Sequence, residues 1–513
     1  MITAMLSATK PVAASRLQRL LGPAQVLLNP IISLVVLLLA SLLLIPLASQ
    51  PLSVPLAAVS TYLLLMAVRL EQPWLSLTPL PPLTILCLGA WVRCGLGGLL
   101  LAFGSPLPLE ASNSAFWRHL PEAQLLWLAV SGAAVVIFTC KPARLATSAI
   151  PSQDARPQPL VGLTIACGLF AITSISIGVF AGTLDRNPES YLYWVSQRWR
   201  PDALFTMLAR FRDAFFLLAP LALVKAKRQW QRATILTMAI LYPVMALPLG
   251  GRGLVLYPLV YAAFGLWLTA ISAKTLRILI AITLMGCLVA IPSIESYRGT
   301  SGFTSPKEDS LGSRFTLLTN AIQTTATQVE LPTLLNRTGA SLYGCSDGYL
   351  FQEPALSRPR AGLHRMGAIL TAWLPELLAP KAVPVRDAHI IAEEVRGRSR
   401  QEAETMPYTS FACISLGGDL YWRGGWPAVG LGATAFAIFY RLASGLWYQL
   451  ARWASAWQIL IIAYPATFLT MYPAGSIGET AWLWMWDLPK YIIFLGLIYL
   501  TTRWLNRSHP QNS

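Results

Sequence analysis

A polytopic all-α membrane protein is the fold class this chain predicts, and three observations predict it. Of 513 residues, 55% are hydrophobic and only 12% are charged, where a soluble domain carries about a quarter charged residues. Several apolar runs reach the roughly 20 residues that a membrane-spanning helix needs. Lysine and arginine also alternate between the short connections as the positive-inside rule requires.

Twelve candidate spans follow, near 26–48, 54–69, 82–103, 122–140, 160–183, 203–224, 233–249, 254–271, 276–293, 427–447, 456–472 and 489–505. The first is too long for the apolar core of a cleavable signal peptide, and is read as a retained helix. With the N-terminus inside, about seventeen basic residues fall on cytoplasmic connections, Lys10, Arg69, Lys141, Lys225, Arg441 and Arg503 among them. About six fall opposite: Arg118, Arg186, Arg198, Arg200, Arg252 and Lys490. Both termini are therefore expected in the cytoplasm, and the net charge of +16 needs no nucleic acid to explain it. The seven cysteines show no paired spacing for a disulfide framework or a CxxC metal site.

Three parts result: membrane helices over 1–292, a large polar segment over 293–408, and further membrane helices over 409–513. A connection as long as 293–408 is usually functional or a small domain. The topology places it outside, and it holds His364 and His389. "RFTLLTNAIQ" and "GLHRMGAILTAWLPELL" within it have helical apolar spacing. No internal repeat points to a transporter built from related halves.

Arginine inside a spanning helix costs at least about 2.5–3.5 kcal/mol, so each one asks for a reason. Arg93 stands near the centre of the third span, where either a neighbouring acid, backbone carbonyls or a ligand would answer it. Arg210, Arg212 and Asp213 lie in the sixth; Arg210 and Asp213, three apart, would neutralise each other and leave Arg212 without a local partner. "LGGRGLVLYP" sets Arg252 between glycines at the start of the eighth span, "ESYRGTSG" sets Glu295 and Arg298 beyond the ninth, and "GGDLYWRGGW" sets Asp419 and Arg423 before the tenth. Arg210, Arg252, Arg298 and Arg423 thus gather near one membrane boundary. Guanidinium forks suit phosphate oxygens, so an anionic lipid headgroup such as a lipid diphosphate is the expected ligand. Trp482, Trp484 and Trp486, beside Glu479, read as an interfacial aromatic belt or as platforms for sugar rings.

"GGRG" at 250–253 and "PYTSFACISLGGDLYWRGGWPAVGLGATAFAIFYR" near the end resemble the Gly-x-Arg-Gly element and the C-terminal pattern of the Wzy-type oligosaccharide repeat-unit (O-antigen) polymerases. Asp419 stands where that family often has glutamate, and Arg423 is not expected at its position. The resemblance implies a GT-C-related membrane glycosyltransferase of the bacterial cytoplasmic membrane. It would polymerise undecaprenyl-diphosphate-linked repeat units on the outer face, inverting at the anomeric carbon. Partners would be polyprenyl-diphosphate-linked oligosaccharides and membrane lipids, with a flippase and a chain-length regulator beside them.

In that reading Arg93, Arg210, Arg212, Arg252, Arg298 and Arg423 hold the diphosphate, and Tyr421, Trp422 and Trp482 stack on sugars. Asp419, Glu295, Glu479 and His364 are the candidates for general base, with Asp419 first. The first outer loop, roughly "SQPLSVP", has no carboxylate, so neither metal nor other cofactor is expected. Three rivals remain: an O-antigen-ligase-like enzyme, expected to use a histidine of the large loop such as His364, a transporter of lipid-linked glycans, and a structural membrane scaffold that recruits partners through its outer loop.

Overall fold

The structure is a computed structural model. It describes residues 29–72, 81–104, 118–140, 157–180, 204–246, 311–328, 330–343, 347–367, 385–395, 397–406, 414–453, 475–482 and 488–508, with isolated positions between 258 and 293. Among the described residues it is all-helical. Five helices are long and apolar enough to cross a membrane: α1 (Pro30–Leu47), α2 (Ser53–Leu70), α3 (Pro82–Phe103), α4 (Leu120–Cys140) and a helix that covers Leu416–Gly445. These coincide with five of the expected spans. Pro157–Phe180 (α5), Leu204–Lys225 (α6) and Gln229–Ala246 (α7) are helices at three more. The spans expected near 254–271, 276–293 and 456–472 lie almost wholly outside the described residues.

The polar segment supplies α8 (Leu311–Gln328), α9 (Leu331–Tyr343), a 3-10 turn at Asp347–Phe351, and the short α10 (Glu353–Leu356). Then come α11 (Val385–Val395) and α12 (Arg400–Thr405), the latter opened by a capping box between Ser399 and Glu402. The long α13 (Leu416–Trp453), α14 (Ile477–Trp482) and α15 (Leu488–Ser508) complete the order.

One packed group joins α5, α6, α7 and α15 around Leu163, Phe211, Phe215 and Leu218. The other joins α2, α3, α4 and α13, and it carries the pieces of the polar segment. The N-terminus of α3 is tied by a carboxylate. Glu71, at the end of α2, accepts from the backbone N–H groups of Leu83 (3.0 Å) and Thr84 (2.7 Å), which have no partner in the helix itself. The phenol of Tyr440 on α13 closes the same corner by donating to Pro82 O at 2.7 Å. Along α1 and the second half of α13 the large apolar side chains face outward, with Leu43, Leu431 and Leu442 each about two-thirds exposed or more. That is the surface a lipid tail solvates.

Two features of this group were not expected. The third span is interrupted: Trp91–Gly97 forms a π-helical stretch, a wide turn that leaves carbonyls unpaired and recurs at functional sites. The amide of Gln124 on α4 donates to one of them, Cys94 O, at 2.8 Å. The second is the placement of α9. The topology read from the sequence places the 293–408 segment outside and says nothing of which helices it packs on. In the structure α9 runs against α3, where Gly97 faces Gly339 so closely that a Cβ on Gly339 would stand 2.9 Å from Gly97 O. The Arg93 guanidinium reaches Tyr343 O at 3.0 Å, and Arg93 lies about ten residues, roughly 15 Å, from the end of α3. Tyr343, Asp347 and Phe351 are all buried.

Candidate functional site

The cluster "GGDLYWRGGW" was expected just before a span. It is helical. α13 begins at Leu416, eleven residues before the expected boundary, and breaks at Gly424 and Gly425, where φ/ψ are −151°/18° and 66°/−158°. The second pair lies in a region only glycine occupies readily, and Pro427 then restarts the helix at a position that suits it. The hydroxyl of Ser415 accepts from Gly418 N at 3.0 Å to cap the first half. Gly417 and Gly418 are needed for contact: a Cβ there would stand 2.5 Å from Leu126 O and 2.3 Å from Asp347 Oδ1.

A broken helix leaves its last carbonyls without partners, and the segment 360–362 supplies them. Arg360 Nη1 donates to Tyr421 O (3.3 Å), Ala361 N to Trp422 O (3.2 Å) and Gly362 N to Arg423 O (2.8 Å). This clamp brings His364 and Arg365 to the kink, on a turn in which Gly362 and Arg365 both adopt positive φ, 56° and 55°. The sequence had read this stretch as the start of a helix; among the described residues it becomes helical only from Met366.

Arg423 is the centre of the charge network. Its Nε donates to Asp419 Oδ1 (3.0 Å), its Nη2 to Asp387 Oδ2 (3.1 Å) and its Nη1 to His364 O (2.8 Å). Arg365 Nη1 donates to the other oxygen of Asp387 at 2.7 Å. Asp387 therefore bridges two guanidinium groups from α11. Burial pushes its carboxyl up from the ordinary range, while Arg365, Arg423 and His364 pull it back down. Asp419 is 0% exposed, and its second oxygen accepts from Ile477 N at 2.8 Å. The ion pair with Arg423 thus takes one oxygen and the start of α14 the other. This leaves Asp419 placed to orient Arg423, not to meet a substrate hydroxyl.

His364 is differently placed. Its side chain is 26% exposed, and its Nε2 lies 2.5 Å from Glu404 Oε1 on α12. An imidazole with a carboxylate on one nitrogen and solvent access on the ring is the arrangement a general base uses.

Two of the three aromatic residues expected to stack on sugars, Tyr421 and Trp422, are buried. Tyr421 packs on Phe351 with ring centroids 4.6 Å apart, and Arg360 lies 4.4 Å from its ring centre. Trp422 donates from its indole N–H to Glu394 Oε2 at 2.7 Å, with the guanidinium groups of Arg400 and Arg423 each 5.2 Å from its ring. Their surfaces are occupied by the protein's own rings and arginines, so they brace the kink.

Away from the kink, Arg93 serves the polar segment. Besides its bond to Tyr343 O it lies 5.3 Å from the Trp127 ring and acts on the buried Asp347, so a backbone carbonyl and an acid both answer its charge. Below it Asp347 accepts from Ser415 N (2.8 Å) and Trp127 Nε1 (3.1 Å). Burial pushes the Asp347 carboxyl up to about 6, against the pull of those bonds and of Arg93.

In α6 the Nε of Arg212, expected to lack a local partner, donates to Asp213, and Tyr242 of α7 bonds to the same guanidinium. Arg252, Glu295 and Arg298 lie outside the described residues, as do the side chains of Arg210, Glu479 and Trp482. Of the four arginines expected to gather, Arg423 is therefore the one whose surroundings are described. Among the described residues no group of three or more His, Cys, Asp and Glu could hold a metal ion.

Sequence reasoning missed Arg365, Asp387, Glu394 and Glu404. Asp387 and Glu394 sit in "VRDAHIIAEEV", and it is burial beside Trp422 and Arg423 of α13 that makes them partners. Compared with family models, with curated proteins and with solved structures, the chain matches none.

Proposed function

We propose that the protein is a membrane glycosyltransferase that polymerises polyprenyl-diphosphate-linked oligosaccharide repeats on the outer face of the bacterial cytoplasmic membrane. The observation that carries this reading is the meeting of His364, Glu404, Arg365 and Arg423 at the kink of a helix long and apolar enough to cross a membrane. A base and guanidinium groups beside the lipid-facing half of α13 suit a substrate with a sugar hydroxyl at one end and a lipid diphosphate at the other.

In the reaction, the acceptor hydroxyl attacks the anomeric carbon from the face opposite the diphosphate. The new C–O bond forms as the bond from that carbon to the phosphate oxygen breaks, and His364 takes the hydroxyl proton. Glu404 holds the ring and stabilises the imidazolium that results. Charge builds on the departing diphosphate, and preorganised arginines answer it best because they need not reorganise as it develops. Asp387 fixes Arg365, more exposed than Arg423, for that role, Arg423 holds Asp387 and the His364 backbone in place, and Arg252 and Arg298 are the further arginines proposed to join Arg365. Metal plays no part in this scheme.

The same histidine favours a second reading, an O-antigen-ligase-like transfer of the glycan to a different acceptor. Purified protein with lipid-linked repeats separates the two. Ladders on the lipid carrier support polymerisation, and a single transfer to another acceptor supports ligation. Flipping of lipid-linked glycan in proteoliposomes without bond formation would discard both. His364→Gln is expected to lower turnover by about 10²–10⁴-fold while protein level and thermal midpoint hold. Unchanged turnover removes His364 from the chemistry.

A further inference from the structure

The mechanism above leaves one side chain beside His364 without a use. Leu363 is 81% exposed, more than any other large apolar side chain among the described residues. Its turn is held at every step. Ala361 N and Gly362 N donate to the carbonyls of Trp422 and Arg423, His364 N donates to Ala361 O at 3.0 Å, and Met366 N to Leu363 O at 2.9 Å. Gly362 and Arg365 both have positive φ, which is uncommon for a residue other than glycine. A turn fixed in this way buries Ala361 and holds Leu363 out from the surface.

Single exposed leucines are ordinary on soluble surfaces. The place of this one sets it apart. The turn is bonded to the last carbonyls before the kink, and the lipid-facing part of α13 begins directly beyond it. Trp426 (44%), Leu431 (77%), Ile438 (48%), Phe439 (49%) and Leu442 (67%) are the large apolar side chains exposed there. From Trp426 to Leu442 the helix rises about 24 Å, most of the roughly 30 Å of a bilayer's hydrocarbon core. Before the kink the picture reverses, since Tyr421, Trp422 and Arg423 are all buried. Trp426 thus stands at the level where tryptophan anchors to the membrane interface. Its ring packs on Tyr421 and Phe351, with centroids 5.4 and 6.2 Å away. Arg360, next to the turn, lies against the same point: a Cβ on Gly425 would stand 3.8 Å from its Nε. The exposed apolar surface of α13 is therefore continued, across the kink, by Leu363.

We propose that Leu363 and Trp426 dock this turn into the interface of a phospholipid bilayer, Leu363 among the upper acyl carbons and Trp426 at the headgroups. This docking holds whether or not glycan transfer is the reaction. It sets His364 and Arg365, which follow Leu363 in the chain, at the depth of the lipid headgroups.

Photo-crosslinking of the full-length protein in nanodiscs of phosphatidylethanolamine and phosphatidylglycerol tests it. A benzophenone amino acid replaces Leu363, Leu431 or Gln401, the last an exposed residue of α12, and adducts are read by mass spectrometry of the labelled peptide. Phospholipid adducts in place of Leu363 are expected at a yield like that for Leu431. The yield should be at least about tenfold above that for Gln401, since a leucine-sized group prefers apolar surroundings to water by at least that factor. A yield no higher than for Gln401 overturns the proposal. So do crosslinks to protein alone, and so do adducts that form only when a polyprenyl-diphosphate glycan is added, which would make Leu363 part of a substrate groove. Thermal midpoints report whether each variant is folded. Leu363→Cys gives an independent reading: a membrane-impermeant maleimide should modify it at least about tenfold more slowly in nanodiscs than Gln401→Cys, and equal rates also refute the docking.

Discussion

Arg423→Gln tests the network at its centre. The side chain is 5% exposed and holds two carboxylates. Asp387 keeps Arg365 at 2.7 Å when Arg423 is lost, so its cost is partial. Asp419 keeps only the Ile477 N–H at 2.8 Å, and it stays buried with no cation. Removing one partner of a buried pair costs about 3–5 kcal/mol, because the remaining charge is uncompensated. We therefore expect a loss near that figure and not twice it. Equilibrium unfolding in mixed micelles measures it, with Asp419→Asn and the double variant completing a cycle. Asp419→Asn relieves the stranded charge, so the double variant should lie at least ~1 kcal/mol below the sum of the single losses. Costs that add to within about 0.5 kcal/mol would falsify the claim that Arg423 is held by Asp419. Glycan transfer should fall in the same variants, because Arg423 Nη1 also fixes His364 O.

Other outcomes follow from the geometry. Gly425→Ala must place a Cβ at φ 66° and ψ −158°, which costs of order 1–3 kcal/mol; an unchanged unfolding midpoint would mean that the kink is not needed. Gly339→Val would drive a side chain into Gly97 O and Leu101 N, 2.9 and 2.8 Å from the Cβ position, so protease should cut the 331–351 segment faster, and wild-type rates would refute its close packing on α3. The Asp347 carboxyl, pushed up to about 6, is protonated in the folded protein over a range where the unfolded chain, near 3.9, has lost its proton. Folding therefore binds the extra proton, and stability should fall as pH rises from about 4 to 6, by on the order of 3 kcal/mol. Asp347→Asn should flatten that slope, and an identical slope in both proteins would refute the assignment.

The sequence determined the class of protein and much of its helix order. Apolar run length and the arginine–lysine asymmetry are local and periodic signals, and a bilayer requires them of any chain that crosses it. They placed α1 to α4 within a few residues of the structure, and they marked Arg93, Asp419 and Arg423 as charges in need of a partner. Which partner was a question of distance in space. Asp387 and Arg423 are 36 residues apart, Arg93 and Tyr343 are 250, and no periodicity connects such pairs. Only the tertiary structure could decide that two glycines break α13, that segment 360–362 caps the break, and that His364 arrives beside Glu404 while Asp419 is sealed away. Charge is written in the chain, but its exposure depends on what packs over it. Here exposure is what separates His364, open to solvent, from Asp419, which holds an arginine still.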